Sequence, residues 1–594
     1  LTEYRNPQQD PGSEKKMMLA FVVVFGLILA LQYVLPKPAA PKSQPEQTQS
    51  QNAAPPPTQT SPAAATSSAP VAAVQNKIAA PAATAIPVKV AADETESVLE
   101  NDFYRITFTN RGAQVKSWLL KSFKDEKGNP LNLVNPIAAQ TLGYPLSFYT
   151  YNADLTKKLN EGLYIASATG TVAAHDSLTF EFSDGTTTAR KTFRADEKYS
   201  LSIETEVENN GLRVQAFPKW PGGLGDQITT SSYGFSSLVW RRDGSIERKS
   251  PTSGFFLTGK KWVVGGDTVQ GPFEWAGTVD QYFAAVFMPE SAKDTALVTL
   301  NSQVEIPKNA ASPNDGKDKV SVLGLAFGNT SGLTRTRLYV GPKAVDVLET
   351  TQAQAGTDLR GILDFGTFSF IARPLFLWLK WTHEHWIPNW GWAIAFLTLI
   401  ITMALLPLRI SGMKSQLKMQ KIQPQMKAIQ EKYKRYSMTD PRKADMQKEM
   451  SELYKREGVN PVGGCFPMLL QMPFLIAFYS MLGNSIELRQ ASWLWIKDLS
   501  APDPIHALPI LIIITMFLTQ KTMPQAGMDP AQQKILNLMG PLMMGYISWF
   551  FASGLCVYWA ISNVLGYVQQ VVINRSELGQ QVRKSMDRRA TRKK

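Results

Sequence analysis

Five apolar segments lie between residues 391 and 573, at 391–408, 463–483, 506–520, 535–551 and 554–573, and a sixth, uncharged run occupies 17–36. A helix rises 1.5 Å per residue, so about 20 apolar residues cross a hydrocarbon core about 30 Å thick. This pattern requires a polytopic α-helical bundle with six transmembrane helices. The run 17–36 exceeds the roughly 7–15 apolar residues of a secretory signal. It reads as an uncleaved anchor, with Lys15 and Lys16 before it favouring a cytoplasmic start.

Positive charge sets the orientation. The net charge is +13, and its location matters more than its size. The loop 409–461 holds 13 Lys/Arg and the tail 574–594 holds eight, against two in 485–505. The first two segments are therefore expected in the cytoplasm and the third outside. Both termini (the N-tail that precedes the anchor within 1–36, and the basic tail 574–594) then lie inside. The same basic loop and tail are suited to anionic lipid or ribosomal RNA, and nothing in the pattern points to DNA.

Between the anchor and the bundle the composition changes twice. Residues 37–93 are rich in Ala, Pro, Gln, Ser and Thr with almost no aromatics, and are expected to form a disordered tether. Residues 94–356 show period-2 alternation, as in Tyr104/Ile106/Phe108, Leu178/Phe180/Phe182 and Leu201/Ile203/Thr205/Val207. Asp184-Gly185 predicts a hairpin turn between two such runs. The expected fold is an all-β sandwich, placed in the periplasm by the topology. Residues 357–390 mix Phe, Trp and Leu with charges and predict an interfacial amphipathic helix leading into the bundle 391–573. Trp378, Trp381, Trp386, Trp390 and Trp392 suit headgroup depth. Within the basic loop, 411–457 predicts a helical hairpin with apolar stripes at Leu417/Met426/Ile429/Tyr433 and Met446/Met450/Leu453/Tyr454.

No catalytic constellation stands out. Gly254-Phe-Phe-Leu-Thr-Gly259-Lys260-Lys261 has Lys261 where a phosphate loop needs Ser or Thr. His383-Glu384-His385 has no third ligand at metal spacing, and the two cysteines, Cys465 and Cys556, lie in apolar stretches. The expectation is a protein that is not an enzyme and uses no cofactor or metal. What remains is polarity inside the apolar segments. Thr398, Thr402 and Arg409 fall within roughly 40° of one another on an ideal helix at about 100° per residue. Gln471 sits mid-segment, Thr515 and Thr519 repeat at four, and Cys556, Trp559, Asn563 and Gln570 repeat at three, four and seven. Such groups either glue helices together or face a hydrated groove. The segments 391–408 and 506–520 reach only about 27 and 22 Å, which favours local thinning of the bilayer.

The stretch Gly458-Val-Asn-Pro461-Val-Gly-Gly464-Cys465-Phe-Pro467-Met-Leu-Leu-Gln471-Met-Pro473, with Ile486-Glu-Leu-Arg489-Gln-Ala, Trp495-Ile-Lys-Asp498-Leu-Ser, Asp529-Pro-Ala-Gln-Gln-Lys534, Ser553-Gly554-Leu555 and Ser562-Asn563, resembles the YidC family of membrane protein insertases, relatives of the Oxa and Albino proteins. In the β-region, Asn110-Arg-Gly112 and Gln281-Tyr282-Phe283-Ala284 resemble the periplasmic insert of its Gram-negative members. The resemblance implies an inner-membrane insertase and chaperone for nascent membrane proteins, acting alone or with the Sec translocon and the ribosome. It implies a five-helix core with a hydrophilic groove open to cytosol and lipid. The family's groove arginine stands five residues before a proline; Pro407 puts Thr402 there, with Arg409 two residues past the proline. Tyr558 and Trp559 match an aromatic pair linked to substrate contact. The groove candidates are thus Thr398, Thr402, Arg409, Gln471, Thr515, Thr519, Tyr558, Trp559 and Asn563. The rival reading is a multi-span secondary transporter with a periplasmic accessory domain, which usually carries repeated halves; no repeat is evident.

Overall fold

The computed structural model describes residues 87–580, except 174–175, 229, 251, 254–260, 263–264, 308–315, 367, 434–435, 437–439, 460–465, 523–529 and 578. The expected anchor 17–36, most of the tether, the Gly254–Lys260 loop, Cys465 and the end of the basic tail lie outside the described residues.

The alternating runs become strands because every second side chain points to one face. Tyr104, Ile106 and Phe108 are fully buried on strand Tyr104–Thr109, and Leu178 and Phe180 on Ser177–Ser183. An antiparallel sheet runs through Ser245–Lys249, Ser237–Arg242, Phe273–Val279, Phe283–Pro289, Leu333–Pro342, Ser200–Asn209, Thr187–Ala195, Ser177–Ser183 and Ile165–Ala166. A second sheet orders Pro130–Asn132, Gln114–Lys124, Tyr104–Thr109, Glu96–Glu100 and Gly170–Val172, the last pair parallel. A third joins Thr268–Gln270, Thr295–Pro307, Lys317–Asn329, Phe217–Trp220 and Phe148–Tyr149. The first two pack face to face, with Phe108 4.7 Å from Phe193 and 6.0 Å from Phe180 between ring centroids. This is the expected β-sandwich.

The Asp184-Gly185 hairpin forms where expected. Gly185 has φ +90°, and Asp184 Oδ1 accepts from the Thr186 and Thr187 amides at 3.0 and 2.7 Å. A second hairpin, Ser237–Arg242 to Ser245–Lys249, turns on Asp243-Gly244 at φ +51° and +73°. Between the sheets a lysine is wholly enclosed. Lys191 Nζ donates to the Gly112, Ala113 and Leu146 carbonyls at 2.7, 3.2 and 2.6 Å, and sits 4.0 Å over the Phe148 ring. All three ammonium hydrogens are used, which is what makes a buried lysine tolerable.

The domain extends further along the chain than expected. Leu359 and Ile362, assigned by composition to the interfacial region, are buried in the sandwich core, and Gly361 packs against Ile246 and Trp275. The amphipathic helix is Ser369–His385; it buries Ala372, Leu375, Phe376, Leu379 and Thr382 and exposes Phe370, Leu377, Trp378 and Trp381. His383 stacks on Trp390 at 3.9 Å and His385 Nδ1 meets the Trp381 carbonyl.

The helices that follow are Trp390–Ala404, Leu406–Lys432, Arg442–Arg456, Phe466–Asn484, Ala507–Thr522, Pro530–Ser548 and Ser553–Arg575. Among the described residues, one helix, Ser553–Arg575, is by itself long and apolar enough to cross a membrane, and Ala507–Thr522 is a shorter apolar helix. Trp390–Ala404 and Leu406–Lys432 together pass the same test, but across a bend of 55°. Pro407 explains the bend: it has no N–H to give to Met403 and its ring crowds the preceding turn. The loop helices Leu406–Lys432 and Arg442–Arg456 pack through Ile422, Met426, Ile429, Met450, Leu453 and Tyr454, whereas Leu417 turns to Met413 and Ile573.

Replacing Lys191 with Met should strip three enclosed carbonyls of their shared donor and cost about 2–4 kcal/mol. Thermal unfolding followed by near-UV circular dichroism should show the β-domain transition shifted down, and an unchanged transition would refute the role given to the cage.

Candidate functional site

The bend at Pro407 changes which polar side chains meet. Thr398 and Thr402 stay on Trp390–Ala404, while Arg409 belongs to the first turn of Leu406–Lys432. The single stripe expected for these three on one straight helix is therefore broken. Thr398 and Thr402 are buried, and the Thr398 hydroxyl donates to the Ile394 carbonyl of its own helix at 2.6 Å. On Ala507–Thr522, Thr515 is buried and donates to Leu511 at 2.7 Å, and half-buried Thr519 donates to Thr515 at 2.8 Å. These hydroxyls are satisfied within their own helices, and none of them bonds to Arg409.

Arg409 gathers a different set. Its Nη2 donates to Gln471 Oε1 on Phe466–Asn484 at 2.6 Å, and its Nη1 to Gln569 Oε1 on Ser553–Arg575 at 3.4 Å. The guanidinium thus ties three helices. The guanidinium passes close to Gly566, one turn before Gln569, where an added Cβ would lie in ordinary contact, 3.5 Å from Arg409 Nη1. The Tyr558 hydroxyl interacts with Gln471 and Ser562, and its ring stacks on Phe478 at 4.1 Å. A continuous polar cluster therefore runs Gln569–Arg409–Gln471–Tyr558. Both glutamine partners are neutral, and among the described residues no carboxylate pairs with Arg409.

The remaining candidates lie on Ser553–Arg575 outside this chain of contacts. Trp559, 8% exposed, lies 6.3 Å from Phe551. Asn563 is half-buried, with Nδ2 enclosed and without a partner, as is Gln569 Nε2. Gln570 faces elsewhere. It donates to Asn574, which in turn donates to the Thr522 carbonyl, so it belongs to the contact with Ala507–Thr522. Gln569 was absent from the sequence reading. One residue on a helix is about 100° of rotation, and no angular count on one helix says which side its neighbours occupy. Gly566 at an interval of three was the available signal, since a glycine inside an apolar helix marks a close approach.

The arrangement is a cation held by amide oxygens at the foot of an apolar bundle. It offers charge and hydrogen bonding, with no nucleophile beside it. Among the described residues no group of three His, Cys, Asp or Glu side chains is placed to hold a metal.

Comparison with known proteins is consistent across both regions. Residues 381–580 match the family model described as 60Kd inner membrane protein, and residues 96–378 match the YidC periplasmic domain. The chain is 31% identical over 561 residues to the membrane protein insertase YidC of Geobacter metallireducens, covering 88% of this chain and 94% of that one. It is 33% identical over 489 residues to that of Geobacter sulfurreducens, covering 80% and 85%. It is 35% identical over 401 residues to that of Wolinella succinogenes, covering 67% of each.

Replacing Gln471 with Leu should leave a half-buried charge short of an acceptor and destabilise the fold by roughly 2–3 kcal/mol. The double substitution with Arg409→Leu should recover part of that loss. A double-mutant cycle on thermal unfolding in detergent that shows no coupling would dissolve the cluster as a unit.

Proposed function

The chain belongs to the YidC family of membrane protein insertases, and we propose that it carries out insertion through the polar cluster centred on Arg409. The observation that carries this reading is the state of the guanidinium: half-buried, bonded to two neutral amides, and unpaired with any described carboxylate. A cation so placed attracts an acidic or strongly polar group on an incoming chain, and the low dielectric around it lengthens the reach of that attraction. Tyr558 joins it through Gln471, Trp559 and Asn563 lie on the same helix as Tyr558, and Thr398, Thr402, Thr515 and Thr519 add polarity to Trp390–Ala404 and Ala507–Thr522. A nascent segment enters with its polar part at Arg409 and its apolar part towards lipid. The short Ala507–Thr522 helix favours a thinned bilayer at this point.

The proposed topology has six spans: the anchor 17–36, the five segments of 391–573, and both termini in the cytoplasm. The charge asymmetry between 409–461, 574–594 and 485–505 supports it. The bend at Pro407 fits a span that leaves the membrane and continues as the first arm of the cytoplasmic hairpin. That hairpin exposes Lys414, Lys418, Lys421 and Lys427, which suits anionic headgroups or a ribosome. Work beside the Sec translocon belongs to the same reading.

In liposomes containing only this protein, Arg409→Ala should slow insertion of a single-span substrate with an acidic translocated tail about tenfold, the equivalent of about 1.4 kcal/mol. Arg409→Lys should retain most of the rate, and a substrate with a neutral tail should be little affected. Equal rates for acidic and neutral tails in the wild type and both variants would remove charge attraction from the mechanism.

A further inference from the structure

The β-domain meets the helical region through the short turn Asp280–Phe283, between strands Phe273–Val279 and Phe283–Pro289. Gln281 Nε2 donates to the Gly483 carbonyl at 2.6 Å. That carbonyl is one of the last four of helix Phe466–Asn484, which have no partner within the helix. From beyond the same helix, Arg489 donates to the Lys124 carbonyl at 2.9 Å and lies over the Phe283 ring at 5.7 Å. The shape of the turn is set by Asp280. Its Oδ1 accepts from the Tyr282 and Phe283 amides at 2.8 and 2.7 Å, and Lys343 Nζ donates to its main-chain oxygen at 2.6 Å.

The other oxygen of Asp280 faces a second acid. Asp280 is 4% exposed; its Oδ2 and the Oδ1 of Asp226 are both shut off from solvent, and no N–H or O–H of the usual donors reaches either. With no donor at either oxygen, the two carboxyl groups act directly on each other. An ionised carboxylate has no hydrogen to give, so a bond between the two can form only while one of the pair is protonated. Burial first, then the charge of Asp280, holds the Asp226 carboxyl well above the usual carboxylate range, with Arg489 pulling the other way. The charged and titratable groups around the pair are Arg489 from the helical side, Lys343 with Arg248 and Asp364 behind it, Tyr233, and Tyr282 beside Asp498.

We propose that Asp226 and Asp280 form a proton-operated latch that seats the β-domain on the helical region, closed while Asp226 is protonated and released when it ionises. In the closed state Asp226 donates to Asp280 Oδ2, which leaves Oδ1 to hold the turn and aim Gln281 at Gly483. Ionisation puts two negative charges beside each other where their facing oxygens are closed to solvent. Water must then enter to solvate them, and the turn moves to admit it. The sign follows from linkage. The folded carboxyl is raised, so the contribution is full below the ordinary carboxyl range and is lost as pH rises through the raised value. The latch does not depend on the part assigned to Arg409.

Hydrogen exchange on the full-length protein in lipid nanodiscs tests this, read on peptides covering 280–284 and 483–490 from pH 5.5 to 9 and corrected for intrinsic exchange. The wild type should lose protection at least fivefold across the range. Asp226→Asn, whose amide donates to Asp280 at every pH, should stay protected throughout on 280–284 and keep on 483–490 only the loss that Glu487 causes. Glu487, buried nearby and pushed up to about 7 by burial, contributes equally to both proteins and cancels in the comparison. Gln281→Ala should lower protection of 483–490 at all pH values, with exchange in strands Tyr104–Thr109 and Thr187–Ala195 unchanged as the check on folding. A wild type with flat protection, or an Asp226→Asn protein with the same pH-dependent loss, overturns the latch.

Discussion

A guanidinium within an apolar bundle is stable only if its hydrogens are accepted and its charge is either paired or left something to do. At Arg409 amide oxygens accept two of the hydrogens, and on the proposed reading the charge is left to an entering chain. Much of the local structure serves this. Pro407 breaks the helix and places Arg409 on a new axis, and Gln471 and Gln569 reach in from two other helices. Had an aspartate stood at 471 or 569, the site would be a neutral ion pair with little attraction for a passing chain. Amide partners keep the cation in place without cancelling it.

This bears on how an insertase works without fuel. Moving a polar segment across a membrane is opposed mainly by its desolvation. A fixed charge with hydrogen-bonding neighbours part of the way in lowers that cost for the substrate's polar end. The apolar remainder gains by reaching lipid. On the proposed reading, attraction at Arg409 and transfer of the apolar part to lipid together move the segment.

The parts of this architecture that follow short-range rules could be read from the amino acids. Strand alternation at Tyr104, Ile106 and Phe108 depends only on the pleat, and the Asp184-Gly185 hairpin only on the backbone freedom of glycine and the acceptor on aspartate. Asp243-Gly244 carried the same signal and went unused. What escaped was set by neighbours distant in sequence. Leu359 and Ile362 look interfacial beside the tryptophans that follow, but space under the sandwich claims them. The Thr398–Thr402–Arg409 stripe assumed a straight axis, and Pro407 was the warning against it. Gln569 differs from Gln570 only by a rotation whose meaning depends on where Leu406–Lys432 and Ala507–Thr522 happen to pack.

The contact between Gln281 and Gly483 has an evolutionary side. A side-chain amide grips a main-chain oxygen at a helix end, and every helix end offers such oxygens whatever its residues. The bundle therefore need not conserve any side chain at that point for the covering domain to find it. At Arg489 the opposite holds: there the helical side's own side chain reaches Lys124 and Phe283, so only part of the joint is free to drift.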